Sequence, residues 1–310
     1  VEGRDMPTVA TLLVSGHTLG TIGYYNPIDY TLMPPKIGPI LNYGVWAVQY
    51  LNDIVYVSDI ANSKIWKFNY NTRSLIGSFN TIPLSYTTDA QGMIIYDGII
   101  YLLQCSTGNV YKYDLDGNLL GSFNGGPAWV TYSIAIANGS IFVSWVETWA
   151  NSGRISKYSL EGASQGTVNF VGHASGLFID TEMIIANMYS TINKVQVYTL
   201  GGSLLRESGI LARGGAMHTT LATNSLIYVC NSYHNWVWVF DRNTLNLLSY
   251  FGNEKSTVGM CFGKTIFYYP PADPIDDNPD TLPDPGGDPQ EITFRWETYK
   301  AIRSDESLLK

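Results

Sequence analysis

Short apolar runs separated by tight polar turns recur along the whole chain. The clearest is Ile54-Val55-Tyr56-Val57-Ser58-Asp59-Ile60-Ala61-Asn62-Ser63-Lys64-Ile65-Trp66-Lys67-Phe68, two strand-like runs joined by a polar turn. Alternation at period two marks a half-buried strand, whereas a 3.6-residue period with caps marks a helix. No segment carries the second pattern convincingly, so the chain is expected to be all-β with few helices.

The pattern repeats. Lys64-Ile65-Trp66-Lys67-Phe68 is followed by Asn109 to Tyr113, Arg154 to Tyr158, Lys194 to Tyr198 and Trp236 to Phe240, whose final aromatics lie 45, 45, 40 and 42 residues apart. Each copy is followed by another short strand, as in Ser74 to Phe79, Asn118 to Phe123 and Asn246 to Phe251. Each is preceded by two apolar runs split by Asn52-Asp53, Asp97-Gly98, Asn138-Gly139, Asp180-Thr181 or Asn224-Ser225. Such dipeptides suit hairpin turns. Four strands in a period of 40–45 residues predict the blade of a β-propeller.

Aligned on the first turn, one column is small: Ala47, Gly92, Ser133, Ser175, Thr219 and Val258. A second is large: Tyr56, Tyr101, Phe142, Ile184, Tyr228 and Phe267. Small residues belong where strands crowd a central axis and large ones where blades diverge. The sixth blade is expected to take two strands from Thr257–Phe262 and Thr265–Tyr269. Its other two would come from Thr8–Val14 and Thr18–Tyr25, closing the ring and removing its free edges. The reading is a six-bladed propeller over 1–270, a Pro/Asp-rich extended linker over 271–290, and a C-terminal extension over 291–310. Glu291 to Glu297 alternates well enough for one more strand, and residues 25–44 read as a long Pro-containing connection.

At this point the chain resembles the NHL-repeat type of six-bladed propeller. The family's Tyr-Val-x-Asp-x-x-Asn-x-basic-Ile-x-x-Phe pattern stands here as Tyr56, Val57, Asp59, Asn62, Lys64, Ile65 and Phe68. The match loosens in the other blades, where Gln104, Trp145, Asn187 and Asn231 occupy the Asp position. The motif specifies fold more than function.

Charge changes the picture only at the end of the chain. Residues 1–270 hold 16 acidic and 14 basic groups, and residues 271–310 hold 10 and 4. The body has no Lys/Arg cluster to track a phosphate backbone, so nucleic acid is not an expected partner. No apolar run approaches the roughly 20 residues that span a bilayer as a helix. Charged residues make up only 14%, so neutral polar groups and 22 tyrosines must supply much of the surface. That surface tolerates acid better than one built on ion pairs. Together with a first residue Val1 in place of Met, it resembles surface proteins of thermoacidophilic archaea and their viruses. The first residue fits a removed leader, a longer precursor or a trimmed chain.

Candidate chemistry is sparse. Asp59 with Asn62 reads as a metal or substrate group at the mouth, or as a turn cap, and the repeat favours the cap. Asp59, Asn187 and Asn231 are weak candidates for a metal of the kind held by propeller lactonases, because one carboxylate and two amides are a thin set for a hard cation. His173 and His218 fall near the starts of innermost strands without a nucleophile at recognisable spacing, so no catalytic residue is assigned. His17 lies in a turn. Cys105, Cys230 and Cys261 show no metal spacing and read as buried apolar residues, with a Cys230–Cys261 disulfide as the alternative. Asn138-Gly139-Ser140 is the one glycosylation sequon, in a stretch that also reads as a turn.

Aromatic loops are more informative. Trp129, Trp149, Tyr189, Tyr233, His234 and Trp236 lie in or beside connections expected to gather on one face, and Trp and Tyr suit sugars and protein partners. The expected function is non-enzymatic recognition at an extracellular or virion surface, binding a surface glycan or protein receptor and needing no cofactor. The C-terminal extension would join other subunits of an assembly. The alternatives are a propeller enzyme of lactonase or sugar-dehydrogenase type with an axial metal, and a structural scaffold.

Overall fold

The structure, a computed structural model, describes residues 8–17, 20–38, 44–82, 92–128, 131–148, 152–171, 173–189, 194–210, 217–232, 234–252 and 257–267. The linker and C-terminal extension expected over 271–310 lie outside the described residues.

Six antiparallel sheets form the ring. Blade 1 comprises Val45–Leu51, Ile54–Asp59, Lys64–Asn69 and Leu75–Asn80; blade 2 comprises Gly92–Tyr96, Ile99–Gln104, Asn109–Asp114 and Leu119–Asn124. Blade 3 comprises Thr131–Ala137, Ser140–Thr148, Ser152–Ser159 and Ser164–Val171. Blade 4 comprises His173–Ile179, Met183–Tyr189, Lys194–Thr199 and Leu204–Glu207, and blade 5 Met217–Ala222, Leu226–Asn231, Trp236–Asp241 and Leu247–Phe251. In each of these blades the strands run outward from the axis in chain order. No helix occurs among the described residues.

The first turns explain why the hairpins form where they do. Asn52-Asp53, Asp97-Gly98 and Asn138-Gly139 have positive φ at both positions, between 49° and 72°. That geometry matches the twist of the flanking strands and favours Asn, Asp and Gly. Blades 4 and 5 solve the same turn with side chains. Asp180 Oδ1 accepts the N–H groups of Glu182 and Met183, and Thr223 Oγ1 accepts those of Ser225 and Leu226.

The large column fills the gaps between blades. Tyr56, Tyr101, Phe142, Ile184 and Tyr228 are all at most 5% exposed. They belong to a series of apolar clusters, one between each pair of neighbouring blades. Ala47, Gly92, Ser133 and Thr219 of the small column line an axial cavity of about 250 Å³. Close approach at the axis also explains two glycines. A Cβ on Gly176 would stand 1.7 Å from the His218 carbonyl oxygen, and one on Gly259 would stand 2.0 Å from that of Trp46.

Blade 6 closes the ring as expected but with a different inner strand. Thr257–Phe267 is one continuous strand, not two, and pairs with Thr8–Gly16, which pairs with Thr21–Tyr25. Gly263-Lys264, read from sequence as a turn, stands opposite Thr11 as a bulge between the pairs Ala10–Thr265 and Leu12–Phe262. A bulge absorbs the extra residue without reversing the chain. The outer edge comes from the Pro-containing connection. Ile22 and Ile37 exchange backbone hydrogen bonds, Tyr24 O accepts the Met33 N–H, and Leu32 bridges Tyr25. Pro34 and Pro35 interrupt this edge because they have no N–H to give.

The cysteines correct one alternative. All three are free and buried, so no Cys230–Cys261 disulfide forms. Cys230 packs between blades 5 and 6 and Cys261 between blades 6 and 1. Burial pushes both thiols far above their ordinary range, which leaves them unreactive.

Candidate functional site

The turns between second and third strands and the entries to the innermost strands open on one face of the ring. The repeat position that includes Asp59 sits there. Asp59 is fully buried; its Oδ1 accepts the Asn62 N–H, and its Oδ2 accepts Asn62 Nδ2–H and Trp66 Nε1–H. This is the turn cap. Gln104 and Trp145 at the same position bond Thr107 and Ser156.

Asn187 reaches further. Its Oδ1 accepts the Ser175 hydroxyl, and its Nδ2 donates to the His218 carbonyl and to Thr220 Oγ1 of the next blade. Asn231 caps its own turn by accepting the His234 N–H on Oδ1. The oxygen of each amide, the atom a hard cation would need, already accepts a hydrogen bond. Among the described residues no group of three or more His, Cys, Asp or Glu stands close enough together to hold a metal.

Three neighbouring blades meet at the mouth of the axis on this face. Trp46, near the start of blade 1's inner strand, has its ring edge-on to His17 of blade 6, with centroids 5.1 Å apart at 70°. It is edge-on again to His218 of blade 5, at 5.2 Å and 85°. His218 Nε2 shares a 3.1 Å hydrogen bond with Ser232 Oγ. Burial lowers the pKa of His17 from 6.5, so its ring favours the neutral form. Ser15 fastens this corner, its hydroxyl donating to Trp46 O and accepting the Gly259 N–H. His17 and His218 were legible as a turn histidine and an inner-strand histidine. Trp46 carried no signal beyond its place one residue before the small column.

A second feature lies on blade 5. His234 stacks on Trp236 with centroids 5.1 Å apart and planes 18° apart, and Trp236 stacks on Tyr250 at 4.3 Å and 24°. His234 and Trp236 are half-buried, whereas Tyr250 is 54% exposed. The rings form a short ladder reaching the outermost strand, and Asn231 joins it to the mouth through the His234 N–H. Sequence reasoning named His234 and Trp236 but missed Tyr250, which sits in an ordinary alternating strand. Trp129, Trp149 and Tyr233 lie outside the described residues. Tyr189 ends the second strand of blade 4, and its side chain lies outside what the structure describes.

No protein-family model matches the chain, and no curated protein does. Solved structures do. A chain from the crystal structure of a nidogen/laminin complex superposes with a TM-score of 0.62 at 13% identity, covering 81% of this chain and 97% of that one. A chain from the crystal structure of the computationally designed Ika8 protein gives 0.51 at 13% identity, covering 84% and 91%. As many as 1151 solved chains match, so the likeness establishes the propeller and does not select a function.

Proposed function

We propose that the chain is a non-enzymatic recognition module, built of NHL-type blades, that binds a glycan or a protein through its loop face. The observation that carries this reading is the ladder of His234, Trp236 and Tyr250. Stacked rings of this kind offer flat, amphipathic area at small entropic cost, and the open ring of Tyr250 gives a partner a place to continue the stack. The low charge of the body, 14% over the whole chain, suits an extracellular or virion surface in an acidic setting. The tail over 271–310 would then join the propeller to other subunits of an assembly.

The alternative of a metal-dependent propeller enzyme finds no support at Asp59, whose two oxygens already accept three N–H groups. A glycan array and a pull-down of surface proteins, each with the wild type and with Trp236→Ala and Tyr250→Ala, test the proposal. Binding should weaken about tenfold in either variant, the scale expected when one ring is taken out of a stack. Binding that ignores both substitutions, or none to glycan or protein, would overturn it.

A further inference from the structure

Protein interiors hold few voids larger than a water molecule, so a cavity of about 250 Å³ on the axis of the ring calls for a physical reason. The small column opens it, where Ala47, Gly92, Ser133 and Thr219 leave room. From there it runs away from the mouth to Tyr50, Ile136 and Phe178, each two residues before the first turn of its blade.

The wall is the uncovered side of the core. Ile94 and Ile136 pack on the apolar cluster between blades 2 and 3, and Phe178 on the one between blades 4 and 5. Leu221 and Phe262 pack on the cluster between blades 5 and 6. All five line the cavity, and all five are only half-buried. Each therefore gives one side to its cluster and leaves the other to the axis. Such a wall offers water few hydrogen-bond partners, whereas an apolar guest gains by leaving solvent.

The polar groups of the wall narrow the choice of guest. No Asp, Glu, Lys, Arg or His lines the cavity, so an ion would shed its hydration there and meet no counter-charge. Tyr50 Oη donates to Asp53 Oδ1, Ser133 Oγ accepts the Leu177 N–H, and Thr219 Oγ1 donates to Val258 O. Gln49 also lines the cavity, is half-buried, and makes no side-chain hydrogen bond to another described residue. Its amide can both donate and accept, which suits a hydroxyl or a carbonyl. Volume sets the size: an apolar cavity of about 150 Å³ takes benzene, so about 250 Å³ has room for about ten carbons.

We propose that the axial cavity binds a neutral, apolar molecule of about ten carbons with one hydroxyl or carbonyl group. Ile94, Ile136, Phe178, Leu221 and Phe262 enclose its carbon skeleton, and the Gln49 amide takes its oxygen. None of the aromatic ladder lines this cavity, so failure here leaves the glycan or protein reading standing.

The test is equilibrium dialysis of the full chain against β-naphthol, which has this size and a single hydroxyl, and against naphthalene, which lacks the hydroxyl. β-Naphthol should bind saturably, one molecule to each chain. Ile94→Trp fills the cavity from blade 2 and should weaken binding at least about tenfold, because the added ring takes the place of the guest. Leu221→Trp does the same from blade 5 if the first variant does not fold. Gln49→Leu keeps the bulk and removes the amide. It should weaken β-naphthol about tenfold, the scale of one hydrogen bond, and leave naphthalene no weaker. Gln49 is half-buried and unbonded to described residues, so this variant should fold and decides the matter if both tryptophan variants fail to. No saturable β-naphthol binding, binding that survives in a folded tryptophan variant, or a Gln49→Leu change that affects both ligands alike or neither would overturn the proposal.

Discussion

Asn187 and Asn231 are the same residue at the same point of adjacent blades, and they live in opposite circumstances. Asn187 makes three side-chain hydrogen bonds, two of them into the neighbouring blade, and so acts as a rivet between blades 4 and 5. Asn231 makes one, to its own turn, and leaves its amide N–H groups bare. The difference is not in either asparagine. It is in the next blade, where Thr220 accepts from Asn187 and the aligned residue after Asn231 is Gly259. A repeat can therefore keep its letter and change its job when the next blade changes.

The comparison can be broken by removing each amide. Asn187→Ala should cost about 3 kcal/mol in urea unfolding, because it removes the hydrogen bond to Ser175 and the two that cross to blade 5. Asn231→Ala loses one turn cap and should cost only about 1 kcal/mol. Equal losses would mean that the interblade bonds of Asn187 do not contribute as its geometry implies. The smallest effect concerns pH. Burial lowers the His17 pKa below 6.5, so the unfolded chain takes up the proton first as pH falls. Stability contributed by neutral His17 is full above pH 6.5 and declines from there down through the lowered folded-state pKa. His17→Gln should flatten that part of the pH–stability curve relative to the wild type. A curve of unchanged slope would remove His17 as the cause.

The ring was legible because its cause is local. Turn dipeptides, alternation and the paired small and large columns are written within each blade, and Tyr56, Tyr101 and Phe142 lie buried between blades as the alignment requires. Blade 6 was half legible. Gly263-Lys264 looks like a turn by composition, and only pairing with Thr11 makes it a bulge. The edge over residues 31–37 lacks alternation, since prolines break its ladder. The site was the least legible part. Nothing in the letters of Asn231 or Trp46 says that their donors go unused; that depends on which strand faces them. Tyr250 was missed for a similar reason, its stacking on Trp236 being a cross-strand event.

Closure of the ring carries one more consequence. Thr8 pairs with Phe267 at one end of blade 6, and Gly16 pairs with Thr257 at the other, beside His17 and the mouth. The described strands of blade 6 thus begin at Thr8 and end at Phe267 side by side, on the face opposite the mouth. The same arrangement sets how the ring yields to force. Pulling the ends apart loads the hydrogen bonds of Thr8–Gly16 and Thr257–Phe267 one after another from that end. The closing blade would unzip at low force before any other blade was strained.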